Sequence, residues 1–294
     1  MGKNIMPVIM SKILITGGQG YIARNLVPLF LNAGYEVLAP SRTELDLLNF
    51  GMLDEFLKKN KVDAIIHTAV MGGRRIKTDT FEDVLVPNLK MYEHLIDANW
   101  FNHIPMFVFG SGAEFDRRDR IIECSEELMF SSWPIDPYGM SKNIISRRAL
   151  ADSKDIFVLR LFGCFNWDED PSRFIKASIL NLKRGLPIEV HQNKKMDYFY
   201  LDDIFTVIDY ILKSPATVPR DLNLVYPEKV SLLNIASLIH KHMNRFEPTI
   251  KLNKMEEGYD YTGNGYFLDR MRKVGNLQLL GLEEGIRRTV LKLT

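Results

Sequence analysis

Between residues 12 and 160, short apolar runs alternate with stretches whose apolar residues recur every three to four positions. The runs are Lys12–Thr16 (KILIT), Tyr35–Ala39, Ala64–His67, Met106–Phe109 and Ile156–Arg160. Each is too short for a helix and nearly continuous in apolar residues, as befits a strand covered on both faces. Gly20–Ala33, Met52–Lys59, Glu82–Asn99 and Pro137–Ala151 carry the helical spacing between them. Strands alternating with helices predict βαβ units and a parallel sheet. After Arg160 the pattern changes. A loop rich in Asn, Asp and Pro (164–172) leads to a predicted helix at Arg173–Lys183 and short strands at Ile188–Val190 and Tyr198–Tyr200. Asp202 and Asp203 open another helix, since carboxylates suit a helix N-terminus. Residues 221–294 mix short strands with a helix near Ser231–Met243 and a final helix. Residues 1–10 are expected to be a disordered extension.

Composition narrows the partners. With 38 Lys+Arg against 37 Asp+Glu the formal charge is +1, so no basic excess exists for phosphate-backbone binding, and a nucleic-acid partner is not expected. A hydrophobic share of 46% excludes disorder, and the longest apolar runs are a few residues, too short to span a membrane. Cys124 and Cys164 form no CxxC pair, which fits a reducing compartment, gives no metal-site signal and leads to an expected cytoplasmic location.

Thr16-Gly17-Gly18-Gln19-Gly20-Tyr21-Ile22-Ala23 lies between the first strand and its helix. Glycines there let the backbone turn tightly and approach a pyrophosphate, which the helix N-terminus attracts; an ordinary strand–helix turn is the plainer alternative. The second strand ends in Pro40-Ser41-Arg42 with no acid at its tip. An NAD site offers a carboxylate to the ribose 2′-hydroxyl, whereas a hydroxyl beside a guanidinium suits a 2′-phosphate, so Ser41 and Arg42 favour NADP over NAD unless Arg42 is a plain surface cation. Tyr138 and Lys142 stand four apart on a predicted helix, so phenol and ammonium share a face. The charge is expected to lower the tyrosine pKa towards neutrality for acid–base work. Ser111-Gly112 ends the fourth strand, where ligands of doubly wound sheets bind; a turn serine is the alternative. The expected architecture is therefore α/β: a Rossmann-like doubly wound parallel sheet with a smaller C-terminal α/β substrate domain. Residues 11–165, rejoined by about 198–220, would bind the dinucleotide, and 166–294 would form the discontinuous substrate domain.

Taken together, TGGQGYIA, LDL (45–47), DAIIHTA (63–69), Asn88, SGAEF (111–115), YxxxK (138–142), RLFG (160–163), DYFYLDD (197–203) and LGLEEGIRRT (280–289) resemble the extended short-chain dehydrogenase/reductase family of nucleotide-sugar enzymes. AVMGGRR (69–75) and RTELDLLN (42–49) are most similar to its GDP-fucose synthase branch, which reduces a 4-keto-6-deoxy sugar with NADPH. The resemblance implies Tyr138 as proton donor and acceptor, Lys142 as its tuner and holder of the nicotinamide ribose, and Ser111 as partner of the reacting C4 oxygen. Gly17, Gly20, Tyr21 and Ile22 would line the pyrophosphate. Asp46 and Leu47 would lie near the adenine, Ala69 and Val70 along the cofactor, and Leu161 by the nicotinamide. A nucleotide-diphosphate sugar would meet Met71, Gly72, Asn166, Arg173 and Lys176. The family also implies a homodimer.

Departures sharpen the reading. An arginine that binds nucleotide phosphate in the family is replaced here by Met196, which leaves Lys195, Arg173, Lys176 or Arg270 for the diphosphate. His67, His94 and His103 are expected to be structural. Bifunctional members place a cysteine two residues after the serine and a histidine beyond the fifth strand, to invert C3 and C5. Here stand Ala113 and a histidine-free segment from Gly163 to Arg184, so simple C4 reduction is expected. Only Glu114 or Asp168 would be left as a base. An NAD-dependent 4-epimerase, a 4,6-dehydratase, which Gly112-Ala113 disfavours in place of the family's Asp-Glu, and a non-catalytic scaffold are the competing classes.

Overall fold

The computed structural model describes residues 11–73, 79–99, 103–152, 155–215, 218–244 and 250–294; the N-terminal extension and Arg74-Arg75 lie outside them. Six strands form one all-parallel sheet: β1 (Lys12–Thr16), β2 (Glu36–Leu38), β3 (Ala64–His67), β4 (Met106–Ser111), β6 (Ile156–Leu161) and β10 (Asp221–Leu224). A short β5 (Ile121–Cys124) intervenes outside this sheet, as do β7 (Cys164–Phe165), β8 (Ile188–Gln192) and β9 (Phe199–Tyr200). The sheet order is β10-β6-β4-β3-β1-β2, so the chain reverses direction across the sheet between β1 and β3. That reversal opens a crevice at the strands' carboxyl ends.

Alternation along the strands gives each face its own core. Ile13, Ile15, Ile66, Phe107 and Leu159 pack against α1 (Tyr21–Asn32), while Leu14, Ile65, Val108 and Val158 pack against α2 (Phe50–Lys59), α3 (Val86–Asn99) and α4 (Pro137–Asp152). A five-residue π turn, Phe81–Leu85, leads into α3 and is capped by Thr80, whose hydroxyl accepts Asp83 N–H at 3.0 Å. The second lobe packs α5 (Phe174–Lys183), α7 (Leu232–His242) and α9 (Gly281–Leu293) around the β8 pair with β11 (Ile250–Lys254). Between them in sequence, α6 (Leu201–Lys213) returns to the first sheet face, and α8 (Tyr266–Val274) follows β12 (Tyr261–Gly263). The lobes are tied together by β12, which pairs in parallel with β5 of the first lobe. No helix among the described residues is long and apolar enough to cross a membrane.

Candidate active site

Two adjoining clefts run along the carboxyl edge of the sheet. The first, about 480 Å³, lies at the β1/β3 reversal and is lined by Gly17, Gly20, Tyr21 and Ile22 on one wall and by Asp46, Leu47, Ala69 and Val70 on the other. Gly17 has φ +68°, and a Cβ there would sit 2.9 Å from Ala69 Cα, so only glycine fits both the turn and its neighbour. The first turn of α1 has no side-chain cap, which leaves its backbone N–H groups available to an anion. A dinucleotide fits this cradle. Arg42 stands at the rim, 3.6 Å from Asp46.

Ser41 does not line this cleft. Its hydroxyl and its N–H both donate to the Glu44 carboxylate at 2.7 Å. Met71 and Gly72, expected at the substrate, line the dinucleotide cleft instead. Asn88 pins them there: its amide accepts Met71 N–H at 2.8 Å and donates to Met71 O at 3.0 Å, while reaching Ser141 on α4.

The second cleft, about 640 Å³, holds Ser111, Tyr138, Lys142 and Leu161 together, with Arg173 across from them. Ser111 ends β4, where its Oγ accepts Ala113 N–H at 3.1 Å and its own N–H donates to Glu114 Oε1 at 2.8 Å. This reciprocal cap is the turn serine and the candidate catalytic serine in one. Tyr138 and Lys142 lie one turn apart near the start of α4. Lys142 Nζ donates to Phe109 O at 2.7 Å and lies 5.9 Å from the Tyr138 ring centre. Burial lowers its pKa to about 8, opposed by the charge of Glu114.

The expected lowering of Tyr138 is not found. Burial pushes its phenol above the ordinary range, and only hydrogen bonding with Ser111 and the charge of Arg173 work against that. The Lys142 ammonium is bound to a backbone carbonyl and is itself disfavoured by burial, so it does not outweigh the burial of the phenol. Tyr138 therefore rests as a neutral acid.

Several residues expected at the substrate lie elsewhere. Asn166 is buried, accepts the Tyr21 hydroxyl at 3.0 Å and donates to Asn25 at 2.9 Å; it lines a separate cavity behind its loop. Lys176 Nζ is held by Glu169 O at 2.7 Å. Lys195 is exposed and points away, because neighbours in an extended segment face opposite sides; Lys194 and Met196 share the cleft side. Arg270 is exposed on α8, outside the clefts. His67 and His94 are structural, bonded to Thr16 Oγ1 at 2.9 Å and Leu47 O at 2.7 Å.

Arg117, Lys194, Glu169 and Tyr261, which no local sequence pattern marks, also line the second cleft. Arg117 pairs with Asp136 at 2.8 Å. Glu169 is 2% exposed; Oε1 accepts Lys176 N–H at 3.2 Å, whereas buried Oε2 has no hydrogen-bond partner and lies 3.9 Å from Arg173 Nε. Burial raises its pKa to about 8. Beyond Lys194 and Met196 opens a chamber of about 570 Å³ lined by Phe174, Tyr198, Tyr259, Asn181 and His191. No group of His, Cys, Asp and Glu among the described residues is placed to hold a metal ion.

A sequence model of the NAD dependent epimerase/dehydratase family matches residues 13–224. The GDP-L-fucose synthase of Azorhizobium caulinodans is 21% identical over 249 residues, covering 78% of this chain and 79% of its own. Two solved structures share the fold. The GDP-D-glycero-L-gluco-heptose synthase of Campylobacter jejuni, crystallised in the presence of NADPH, has a TM-score of 0.77 at 18% identity, over 97% of this chain and 98% of its own. The UDP-glucose 4-epimerase of Thermotoga maritima has a TM-score of 0.78 at 17% identity, over 96% and 98%. The match from β1 to β10 spans the whole parallel sheet with its glycine turn and Ser-Tyr-Lys cluster, and on it this chain belongs to the NAD dependent epimerase/dehydratase family.

Proposed function

We infer that this chain reduces the C4 ketone of a nucleotide-linked 4-keto-6-deoxy sugar with NADPH, leaving C3 and C5 unchanged. The observation that carries the reading is Tyr138: a phenol kept protonated by burial, facing Ser111 where the two clefts meet. Reduction of a ketone needs an acid in that state. NADPH, when bound, supplies the hydride. Ser111 would hydrogen-bond the C4 oxygen, and Tyr138 would give it a proton as charge develops there. Lys142, fixed on Phe109 O, would place its ammonium beside the ribose and stabilise the phenolate left behind. Arg42 at the rim of the first cleft, and the NADPH used with the heptose synthase, support NADP over NAD.

The names of that synthase and of the GDP-L-fucose synthase support a nucleotide-diphosphate sugar. Lys194 and Arg173 would take its diphosphate and the aromatic chamber its base, in place of Lys195, Lys176 and Arg270. Both bases considered for epimerisation are engaged elsewhere. Glu114 is fully buried on Ser111, Ser146 and Arg160, and Asp168 binds Arg24 and Asn25 outside the cleft.

The test is NADPH oxidation with GDP-, UDP- and dTDP-linked 4-keto-6-deoxy sugars in D₂O, with products read by NMR. Reduction at C4 with unlabelled C3 and C5 is expected. Deuterium at either carbon, beyond a control without enzyme, refutes the simple reductase, and loss of that label in Glu169→Gln would name the base. Tightly held NAD with no NADPH consumption would make the chain a 4-epimerase.

A further inference from the structure

Tyr261 of the second lobe lies beside the Ser111 turn. Its phenol oxygen lies directly over the Ser111-Gly112 turn: a Cβ on Gly112 would meet Tyr261 Oη at 2.6 Å and Phe162 Cδ1 at 2.6 Å. The Tyr261 and Phe162 rings pack edge to face, 5.3 Å apart at 65°, and a Cβ on Gly263 would run into the Phe162 ring. Two glycines thus make room for one aromatic pair against the Ser111 turn. The backbone fixes Tyr261 as well. Its N–H donates to Lys195 O at 2.9 Å, its carbonyl accepts Asp197 N–H at 3.2 Å, and Gly263 N–H donates to Asp197 Oδ2 at 2.8 Å.

We propose that Tyr261 is a positioning residue, whose hydroxyl donates to Ser111 Oγ and thereby directs the single Ser111 proton towards Tyr138 and the oxygen being reduced. A serine hydroxyl accepts two hydrogen bonds and donates one. One acceptance is taken by Ala113 N–H. The Tyr138 phenol lines the same cleft as Ser111, and Tyr261 Oη lies over the adjoining Gly112. If Tyr261 fills the second acceptance, the remaining proton has only the Tyr138 side left to go to. Burial keeps the Tyr261 phenol neutral and able to donate, the charge of Arg117 being the main opposing influence. Tyr261 has no Lys142 one turn away, so the proton delivered to the sugar still comes from Tyr138, and Tyr261 keeps its own throughout.

The proposal rests on the reductase reading for its kinetic arm and is independent of it for its spectroscopic arm. Tyr261→Phe keeps the ring on Phe162 and the glycines while removing the hydroxyl. Loss of one preorganised donor lowers kcat by about 10²–10³-fold, and a donor acting at one remove costs less, about 10–10²-fold. Little change is expected in KM for the sugar or in NADPH affinity. In the Ser111→Ala background, Tyr261→Phe should cost nothing further. In protein carrying ¹³Cζ-tyrosine with NADP⁺ bound and no sugar, Tyr138 should titrate at higher pH in Tyr261→Phe, as it should in Ser111→Ala. Wild-type kcat with an unmoved Tyr138 titration overturns the proposal, as do losses that multiply with Ser111→Ala. If the wild type reduces no 4-keto sugar, the reductase reading fails and the titration alone decides on Tyr261.

Discussion

Beneath Ser111 lies a charge cluster whose disruption gives a sharp test. Glu114 and Arg160 side chains are both 0% exposed and pair at 2.8 Å; Arg160 continues to Asp221 at 2.9 Å and Asn223 at 3.1 Å. Glu114 accepts three hydrogen bonds, from Arg160 Nε, Ser111 N–H and Ser146 Oγ. Glu114→Gln preserves shape but supplies one acceptor oxygen and one donor amide. If the amide nitrogen turns to Arg160, two donors face each other and a buried cation loses a partner, a change worth roughly 3–5 kcal/mol. Turned the other way, the donors of Ser111 and Ser146 go unmet, at about 1–3 kcal/mol each. Either orientation loses roughly 2 kcal/mol or more. At about 2 °C per kcal/mol, the low end for a chain this large, the thermal midpoint should fall by about 4–10 °C. Differential scanning calorimetry without cofactor measures this. A midpoint within about 2 °C of wild type would mean that the pair contributes less than about 1 kcal/mol and is not the stabilising cluster described.

Tyr138→Phe should lower turnover by about 10²–10⁴-fold while NADPH affinity, read by fluorescence titration, stays nearly unchanged. Arg42→Ala should raise KM for NADPH and leave KM for NADH alone, narrowing the preference in steady-state assays; a wild type that uses NADH equally well contradicts this. Glu169, with its folded pKa raised to about 8 from an ordinary 4.5, holds a proton that the unfolded chain releases. The stability this adds is complete below about pH 4.5 and is lost as pH rises through about 8. Glu126, raised to about 7, and Asp197 and Asp221, each raised to about 6, act in the same direction. The difference from Glu169→Gln therefore isolates the one group: equal thermal midpoints at pH 5, and a more stable variant at pH 9.

β1, β3, β4 and β6 were legible because each is a nearly continuous apolar run buried along its length, and β2, an edge strand with Glu36 exposed, through the apolar residues at its end. β5 and β11 were not, since Ile122, Glu123 and most of Ile250–Lys254 are exposed or only partly covered. α8 escaped notice because only Leu268 and Met271 of its nine residues are buried. In the site, Tyr138 and Lys142 were visible through a spacing local to one helix, and Ser111 through its place at a strand end. Tyr261 and Arg117 reach the same cleft across long sequence separations that no local pattern records. The Lys195 expectation failed on parity alone: Met196 faces the cleft, so its alternate neighbour Lys194 does too.

The order in which the sheet is assembled carries a consequence for synthesis. Arg160 lies on β6, and β6 borders β10 on one side. Until β10 pairs, β6 is an open edge holding a guanidinium whose second carboxylate, Asp221, is 61 residues further along the chain. At about 5–20 residues per second, the ribosome takes several seconds to deliver it. During that interval the nascent dinucleotide half presents an unpaired edge and a half-neutralised cation to its surroundings. A fragment ending before residue 221 is frozen in that condition. The natural stopping point for a soluble half-molecule therefore lies after β10, well past the loop where the helical alternation first breaks.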